Sequence, residues 1–468
     1  MSQKAIVIEI NEVPLRILNY YKDLKKDSSI SHLLSQSLVI QTEAKDEEKN
    51  RLYPSQTWAS FNTGVPYDLH KIREYNDPKP HKYPFYWQIL ANKGFNVGLI
   101  NTLHSSPLNS YINNQAYKFV IPDCFAKNNL TKPSNYQCFQ ELNISATSKN
   151  GRVSNLNFPL QKALETLVKS SELGIKLKTI INAATLVAQI KTKKVNKERL
   201  RNLQFTILAD IFLKQIESEN VDLAVFFTNH IAANMHRYWY ALFPEDYNIK
   251  IYNQEWIDKF SSEIIISLDL FDVFLQKLIA YCQKHQRVLI LVSSMGQTAN
   301  QGLKETPMYS YKLKNIQKFL DKLDIGKQYE YQIEAAMIPR YSLNFTSENE
   351  AKRCFQSLNE SKKYLKNIDL KISRNQEIIT INTKLSSNTE QFFIKDKSFS
   401  YDDLGFQKIY LEDHHSGMHC PEGTLIIYNS RNSSSTNNIV DYLEYAPAML
   451  KFFGLDIPKH MLKTHLTI

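Results

Sequence analysis

Four short polar clusters carry side chains that could do chemistry: Asn11-Glu12, Thr228-Asn229-His230, Ser293-Ser294 with Gln297, and the histidine-dense segment EDHHSGMHCPEG at 412–423. Taken singly, each has a plain explanation, because loops at strand ends are exposed and polar. A lone histidine is more often a hydrogen-bonded group than a ligand. Taken together, the clusters could hold a metal ion, or hold a substrate without one. What joins them is position. Three follow apolar runs of strand type, and the fourth precedes one. In an open α/β sheet the parallel strand ends lie on one edge, where ligands bind.

The elements that would position these clusters follow from apolar patterning. KAIVIEI (4–10), VDLAVFF (221–227), RVLILVSS (287–294) and GTLIIYN (423–429) read as buried strands. HKYPFYWQILANKGFNVGLINT (81–102) reads as a helix, a Gly94 stop and a strand. Helical spacing runs through Leu200, Leu203, Ile207 and Ile211, and again from Trp256 through Phe260, Ile264, Leu268, Phe271 and Leu275 to Leu278. In NHIAANMHRYW (229–239) a helix would put Ala232 and His236 on one face, with Asn229 one turn further back. The alternation predicts an α/β fold: a mostly parallel central sheet with helices on both faces.

Two regions read as additions to that core. Residues 125–205 form a helical insertion, and 337–400 form a small α+β cap. The core is then carried by 1–124, 206–336 and 401–468. In the cap, RYSLNF is a strand, SENEAKRCFQSLNES a helix capped by serine, and DLKISRNQEIITINTKL two strands across an Arg-Asn turn. The run KTKKVNKER (191–199) reads as a solvated helix face, with an anion-binding stripe as the alternative.

Composition bounds the answer. With 43% hydrophobic and 22% charged residues, the chain is neither disordered nor collagen-like. Lysine and arginine exceed aspartate and glutamate by 57 − 47 = +10, a generally basic surface or a patch for anionic partners. The five cysteines are scattered, with no C-x-x-C pair, which argues against a disulfide scaffold or a structural zinc site. The first apolar stretch is too short for a signal peptide, and no run approaches a membrane span. The expected setting is cytoplasmic, with association at an anionic membrane surface left open.

Seven blocks, in order, resemble the alkaline phosphatase superfamily, in particular its type I phosphodiesterase/nucleotide pyrophosphatase and sulfatase-like members. They are AIVIEINE, QTWASFNTGVPYDLHKI, FYWQILANKGFNVGLI, DLAVFFTNHIAANMHRYW, VLILVSSMG, GMHCPEGTLIIY and EYAPAMLKFFGLDIP. The nearest resemblance is to a divergent offshoot whose first strand ends in Asn-Glu and whose nucleophile block carries Trp before Ser-x-x-Thr-Gly, matched by INEVP and TWASFNTG. Its members tend to accompany genes for surface polysaccharides.

The resemblance implies a damaged two-metal site. The family's first Asp falls on Asn11, the Asp of its Asp-x-x-x-His pair on Ala232, and its Asp-His pair on Ser294 and Met295. His236 and His419 match, and the nucleophile position falls on Pro54, beside Ser55. One metal site keeps its two histidines, and the other loses every charged ligand.

The residues then support two readings. The first is an enzyme acting on a phosphate or sulfate ester, as hydrolase or transferase, with the resemblance pointing to surface polysaccharide or glycan metabolism. It would have one divalent metal (zinc or manganese) on His236, His419 and a third ligand, with His230, Glu12 and His415 as alternatives, or no metal at all. Ser55 and Thr57 are the candidate nucleophiles, Glu12 the candidate base in a metal-free variant, and Asn11, Gln56, Asn229, Ser293, Ser294 and Gln297 the candidate substrate contacts. The second is a non-catalytic pseudoenzyme binding an anionic glycan or a protein partner. Nucleic-acid binding has only the net charge behind it.

Overall fold

Every residue of the first strand, Ala5–Ile10 (β1), is buried, as a strand covered on both faces requires. The computed structural model describes residues 3–45, 52–73, 75, 82–110, 112–149, 160–192, 194–196, 199–303, 309–326, 329–334, 340–386, 389–410, 415–429 and 439–468. Around β1 lie Ser37–Glu43 (β2), Val97–Ile100 (β3), Tyr117–Ile121 (β4), Leu223–Thr228 (β5), Val288–Ser293 (β6), Glu422–Tyr428 (β7) and Val440–Asp441 (β8). They form one eight-stranded sheet in the order β8-β2-β7-β6-β1-β5-β3-β4. The expected α/β architecture, a mostly parallel sheet with helices on both faces, is what the chain adopts.

The pairing decides where the functional loops go. β1 is parallel to β5 on one side and β6 on the other. β7 is antiparallel to both β6 and β2, so it alone runs against the rest. The segment before β7 therefore arrives at the edge where β1, β5 and β6 end. That reversal is why a histidine upstream of GTLIIYN can join residues downstream of the other strands.

Side-chain alternation along β1 divides two cores. Ile6, Ile8 and Ile10 face Phe212, Trp239 and Phe271, while Ala5 and Val7 face Trp58, Phe61, Trp87 and Met449. The first face is covered by helices that include Leu200–Ser218, His230–Leu242 and Glu263–Lys284, and the second by Pro54–Thr63, Tyr86–Asn92 and Tyr445–Phe452. The helical pattern expected to run unbroken from Trp256 to Leu278 is interrupted at Ser261-Ser262, so Trp256 and Phe260 sit in a separate short helix, Gln254–Phe260. The run KTKKVNKER is not a helix face. Its described residues end the Leu177–Lys191 helix and link it to the next.

The chain divides into two compact units, and the sheet belongs to the first: Met1–Asn143, Leu160–Gly302 and His415–Ile468. The second comprises Ile144–Pro159 and Leu303–His414. It holds a four-stranded antiparallel sheet, with Ile368–Asn375 and Ile378–Leu385 paired over their whole length. The turn falls at Gln376-Glu377, with Gln376 in the left-handed region (φ 53°), two residues beyond the expected Arg-Asn turn. Glu348–Ser361 packs on this sheet through Ala351 and Leu358, and Ser347 caps it, its Oγ accepting from Glu350 N at 3.3 Å.

Candidate metal centre

Asn11 and Glu12 leave the end of β1 between its two neighbours. Asn11 N still donates to Thr228 O of β5 at 3.0 Å. Glu12 then turns with φ 56°, a conformation costly for a residue with a Cβ and worth attention when found. That turn directs its carboxylate to two histidines. Glu12 Oε2 lies 2.8 Å from His236 Nε2 and 3.3 Å from His419 Nε2. One ligand atom from each of the three residues falls within 4.8 Å of the others.

Each histidine is brought by a different element and oriented by a backbone carbonyl. His236 is on the His230–Leu242 helix, and its Nδ1 bonds Gly417 O at 2.9 Å. His419 is on Gly417–Cys420, a strand paired antiparallel with Gly296–Ala299, and its Nδ1 bonds Leu52 O at 2.9 Å. A carbonyl can only accept, so both Nδ1 atoms carry the proton. In the neutral rings both Nε2 lone pairs therefore point toward Glu12. Gly417 has to be glycine: an added Cβ would sit 2.5 Å from Met235 O and 2.7 Å from Gln297 Oε1.

The carboxylate is held from behind by amides. Asn11 Nδ2 donates to Glu12 Oε1 at 2.7 Å and to Asn229 Oδ1 at 2.7 Å, while Asn11 Oδ1 accepts from Trp58 Nε1 at 2.8 Å. Gln297, directly opposite His419 in the ribbon, donates through Nε2 to Glu12 Oε2 and, at 3.2 Å, to Ala232 O. Burial would raise the Glu12 carboxyl, but in the metal-free state, with His419 and His236 protonated, their charges and hydrogen bonds outweigh it and hold it well below the usual carboxylate range.

Three lone-pair donors converging without a cation would repel, so the arrangement suits either a divalent ion or protons on the imidazoles. The donor set fits an ion. A tetrahedral zinc with bonds of about 2.0–2.1 Å keeps its ligands roughly 3.3 Å apart, close to the contacts found. Histidines whose second nitrogen donates to a carbonyl are the usual second shell of such a site. Two histidines and one carboxylate leave a coordination position open, the pattern of catalytic rather than structural zinc.

The remaining expected residues are placed as follows. The Pro54–Thr63 helix begins beside the cluster and is tied to it at both ends of its first turns, through Leu52 O to His419 and Trp58 to Asn11. Ser55 and Thr57 lie between those ties. Ser55 Oγ donates to Arg73 O at 2.8 Å, and Thr57 Oγ1 shares a hydrogen bond of 3.1 Å with Ser294 Oγ. Gln56 is buried between them. Ser293 Oγ turns back on Met295 O, and Met295 is buried in the apolar core, with no polar role.

His230 is not brought to the cluster. Its ring stacks on Phe205 at 3.8 Å, with Nδ1 on Thr228 Oγ1 (2.7 Å) and Nε2 on Ser267 O (3.2 Å). Burial, opposed only in part by the Ser267 carbonyl, lowers its pKa to about 3, so it stays neutral. His415 is nearer, its ring centroid 6.0 Å from that of His236, but it is outside the three-residue set. Sequence reasoning missed Trp58 and the carbonyls of Leu52 and Gly417. Backbone acceptors leave no residue-type signal, and although Trp58 is the tryptophan of the TWASFNTG block, nothing in that block says that its indole would bond Asn11.

No protein-family model and no curated protein matches the chain. Among solved structures it is similar to phosphonoacetate hydrolase from Sinorhizobium meliloti 1021 in complex with phosphonoformate, at 12% identity and TM-score 0.40, covering 97% of this chain and 95% of that one. It is also similar to the murine ectonucleotide pyrophosphatase/phosphodiesterase 5, at 10% identity and TM-score 0.40, covering 97% and 96%. The human counterpart gives 10% identity and TM-score 0.37, with the same coverage.

Proposed function

We propose that the chain is an enzyme acting on a phosphate or sulfate ester, as hydrolase or transferase, through one divalent cation, zinc or manganese, held by Glu12, His236 and His419. The observation that carries this reading is the convergence of those three side chains, with both Nδ1 protons committed to carbonyls. A bound dication would supply Lewis-acid polarisation of an ester oxygen. With one carboxylate and two neutral imidazoles, such a site keeps a net charge of about +1, which favours an anionic substrate. The family resemblance of the sequence blocks points the same way and suggests a glycan or other surface-polysaccharide intermediate as substrate.

The chain's own groups would do the rest. Asn229, which is exposed and bonded to Asn11, would offer its amide to the ester, and Ser294 would act through the hydroxyl it shares with Thr57. Ser55 and Thr57 sit on the segment bracketed by His419 and Asn11, where a hydroxyl nucleophile would be placed. Asn11 keeps its amide saturated by Trp58, Glu12 and Asn229, so it orients Glu12 and offers no charge for a second ion. Ser294 and Met295 offer none either.

That lack of charge is the observation favouring the second reading, a non-catalytic binder of an anionic glycan or protein partner. Metal analysis of protein purified without chelator, followed by assay on aryl phosphate, phosphodiester and sulfate substrates, separates the two. The enzyme reading expects about one zinc or manganese per chain, with both metal and turnover lost in His419→Ala. Metal-free protein with no turnover and saturable glycan binding would establish the binder instead.

A further inference from the structure

One helix far from the cluster in sequence turns the wrong side outward. Leu177–Lys191 (α1), 15 residues long, has no buried residue. One arc rests on the Leu200–Ser218 helix (α2): Lys176 N and Thr179 Oγ1 both donate to Asp210 Oδ2, at 3.0 and 2.5 Å. A second arc, Lys178, Asn182, Thr185 and Gln189, is polar, as an outer face should be. The third is apolar. Leu177, Ile181, Ala184 and Ala188 follow one another at four, three and four residues, the spacing of a single helical stripe. Leu177 is 71% exposed, Ile181 54% and the adjoining Val187 39%. A helix that only had to pack on α2 would not need that stripe.

Between its flanking glutamates the stretch carries charge of one sign. Between Glu172 and Glu198 the sequence has no acidic residue but has Lys176, Lys178, Lys191, Lys193, Lys194 and Lys197. Two of these lie before or at the start of the stripe, and the others at its end or beyond. Clustering extends into space: Lys277, on Glu263–Lys284, is lowered by burial first and then by the nearby Lys176 and Lys178, with Asp210 opposing them in part. An apolar stripe flanked by ammonium groups matches an anionic bilayer surface, where the apolar residues enter the acyl boundary and the lysines meet headgroups. At about 1.5 Å per residue the helix is too short to cross a hydrocarbon core of roughly 30 Å, and among the described residues no helix is long and apolar enough to do so.

We propose that α1 is an in-plane anchor that binds the chain to anionic lipid bilayers through Leu177, Ile181 and the flanking lysines. It stands independently of the metal centre. The test is co-sedimentation of the full chain with vesicles of phosphatidylcholine alone or phosphatidylcholine with phosphatidylglycerol. Binding is expected only to the anionic vesicles and is expected to weaken as salt rises. Ile181→Asp, at a solvent-facing position, should lower partitioning about tenfold or more, and Lys178→Gln roughly fivefold, with circular dichroism and metal content unchanged. Equal binding to both vesicle types, or binding to neither, overturns the proposal. So does an Ile181→Asp variant that converts an oligomer to a monomer while vesicle binding stays as it was, because the stripe would then be a contact between copies of the chain.

Discussion

Glu9 and Glu12 are both fully buried carboxylates at the centre of one sheet, one on β1 and the other in the turn that ends it, yet they meet opposite surroundings. Glu9 points into the core beneath the Pro54–Thr63 helix, where Asn62 Nδ2 donates to its Oε1 at 3.1 Å and its Oε2 has no hydrogen-bond partner. Burial pushes its carboxyl up to about 8, only partly opposed by Asn62. Glu12 is as deeply buried, but two imidazoles and two amides face it, and it stays ionised. Burial by itself neutralises a carboxylate. What keeps one charged is an arranged set of cations and donors, and around Glu12 that set also has the form of a metal site.

The comparison can be broken most decisively at Glu12. Glu12→Gln keeps the shape and removes the charge. Metal affinity should fall by more than about 100-fold, since even partners one shell further out are worth roughly 10–100-fold. Glu9→Gln should leave metal content untouched, and titration with zinc by calorimetry checks both.

The next largest effect belongs to Glu9 and concerns stability. The native state keeps the Glu9 proton up to about pH 8, whereas the unfolded chain loses it near the ordinary value of 4.5. Between those values the native state binds more protons, so Glu9 makes stability fall as pH rises. Glu9→Gln should flatten that fall, by an amount on the order of a few kcal/mol across the window. Denaturant unfolding at several pH values between those limits would show it, and parallel curves for the two proteins would count against a neutral Glu9.

The smallest effect sharpens the role of the amides. Gln297→Ala leaves all three ligands in place but removes a donor from Glu12 Oε2, so metal affinity should drop by roughly 10–100-fold without loss of the fold. An unchanged affinity would mean that Asn11 alone orients the carboxylate.

Much of this was legible in the sequence, for physical reasons. Buried parallel strands are continuous apolar runs, so β1, β5 and β6 stand out, and His236 and His419 follow from the resemblance of their blocks. β2 and β4 do not stand out: SLVIQTE alternates, and YKFVI is short and flanked by polar residues. For the third member of the cluster, sequence left Glu12, His230 and His415 as alternatives. Helical spacing could say that His230 points away from His236, but not that Thr228, Ser267 and Phe205 would enclose it. The left-handed turn at Glu12 likewise has no signal in residue type, because it is set by the neighbours that capture the carboxylate.

The reversed direction of β7 also bears on how the molecule is made. Glu12 and His236 both precede His419 in the chain, the latter by 419 − 236 = 183 residues, so they are synthesised well before it. Until β7 has been made and paired, the three side chains cannot meet, so in the proposed reading an ion is captured only after that strand has folded.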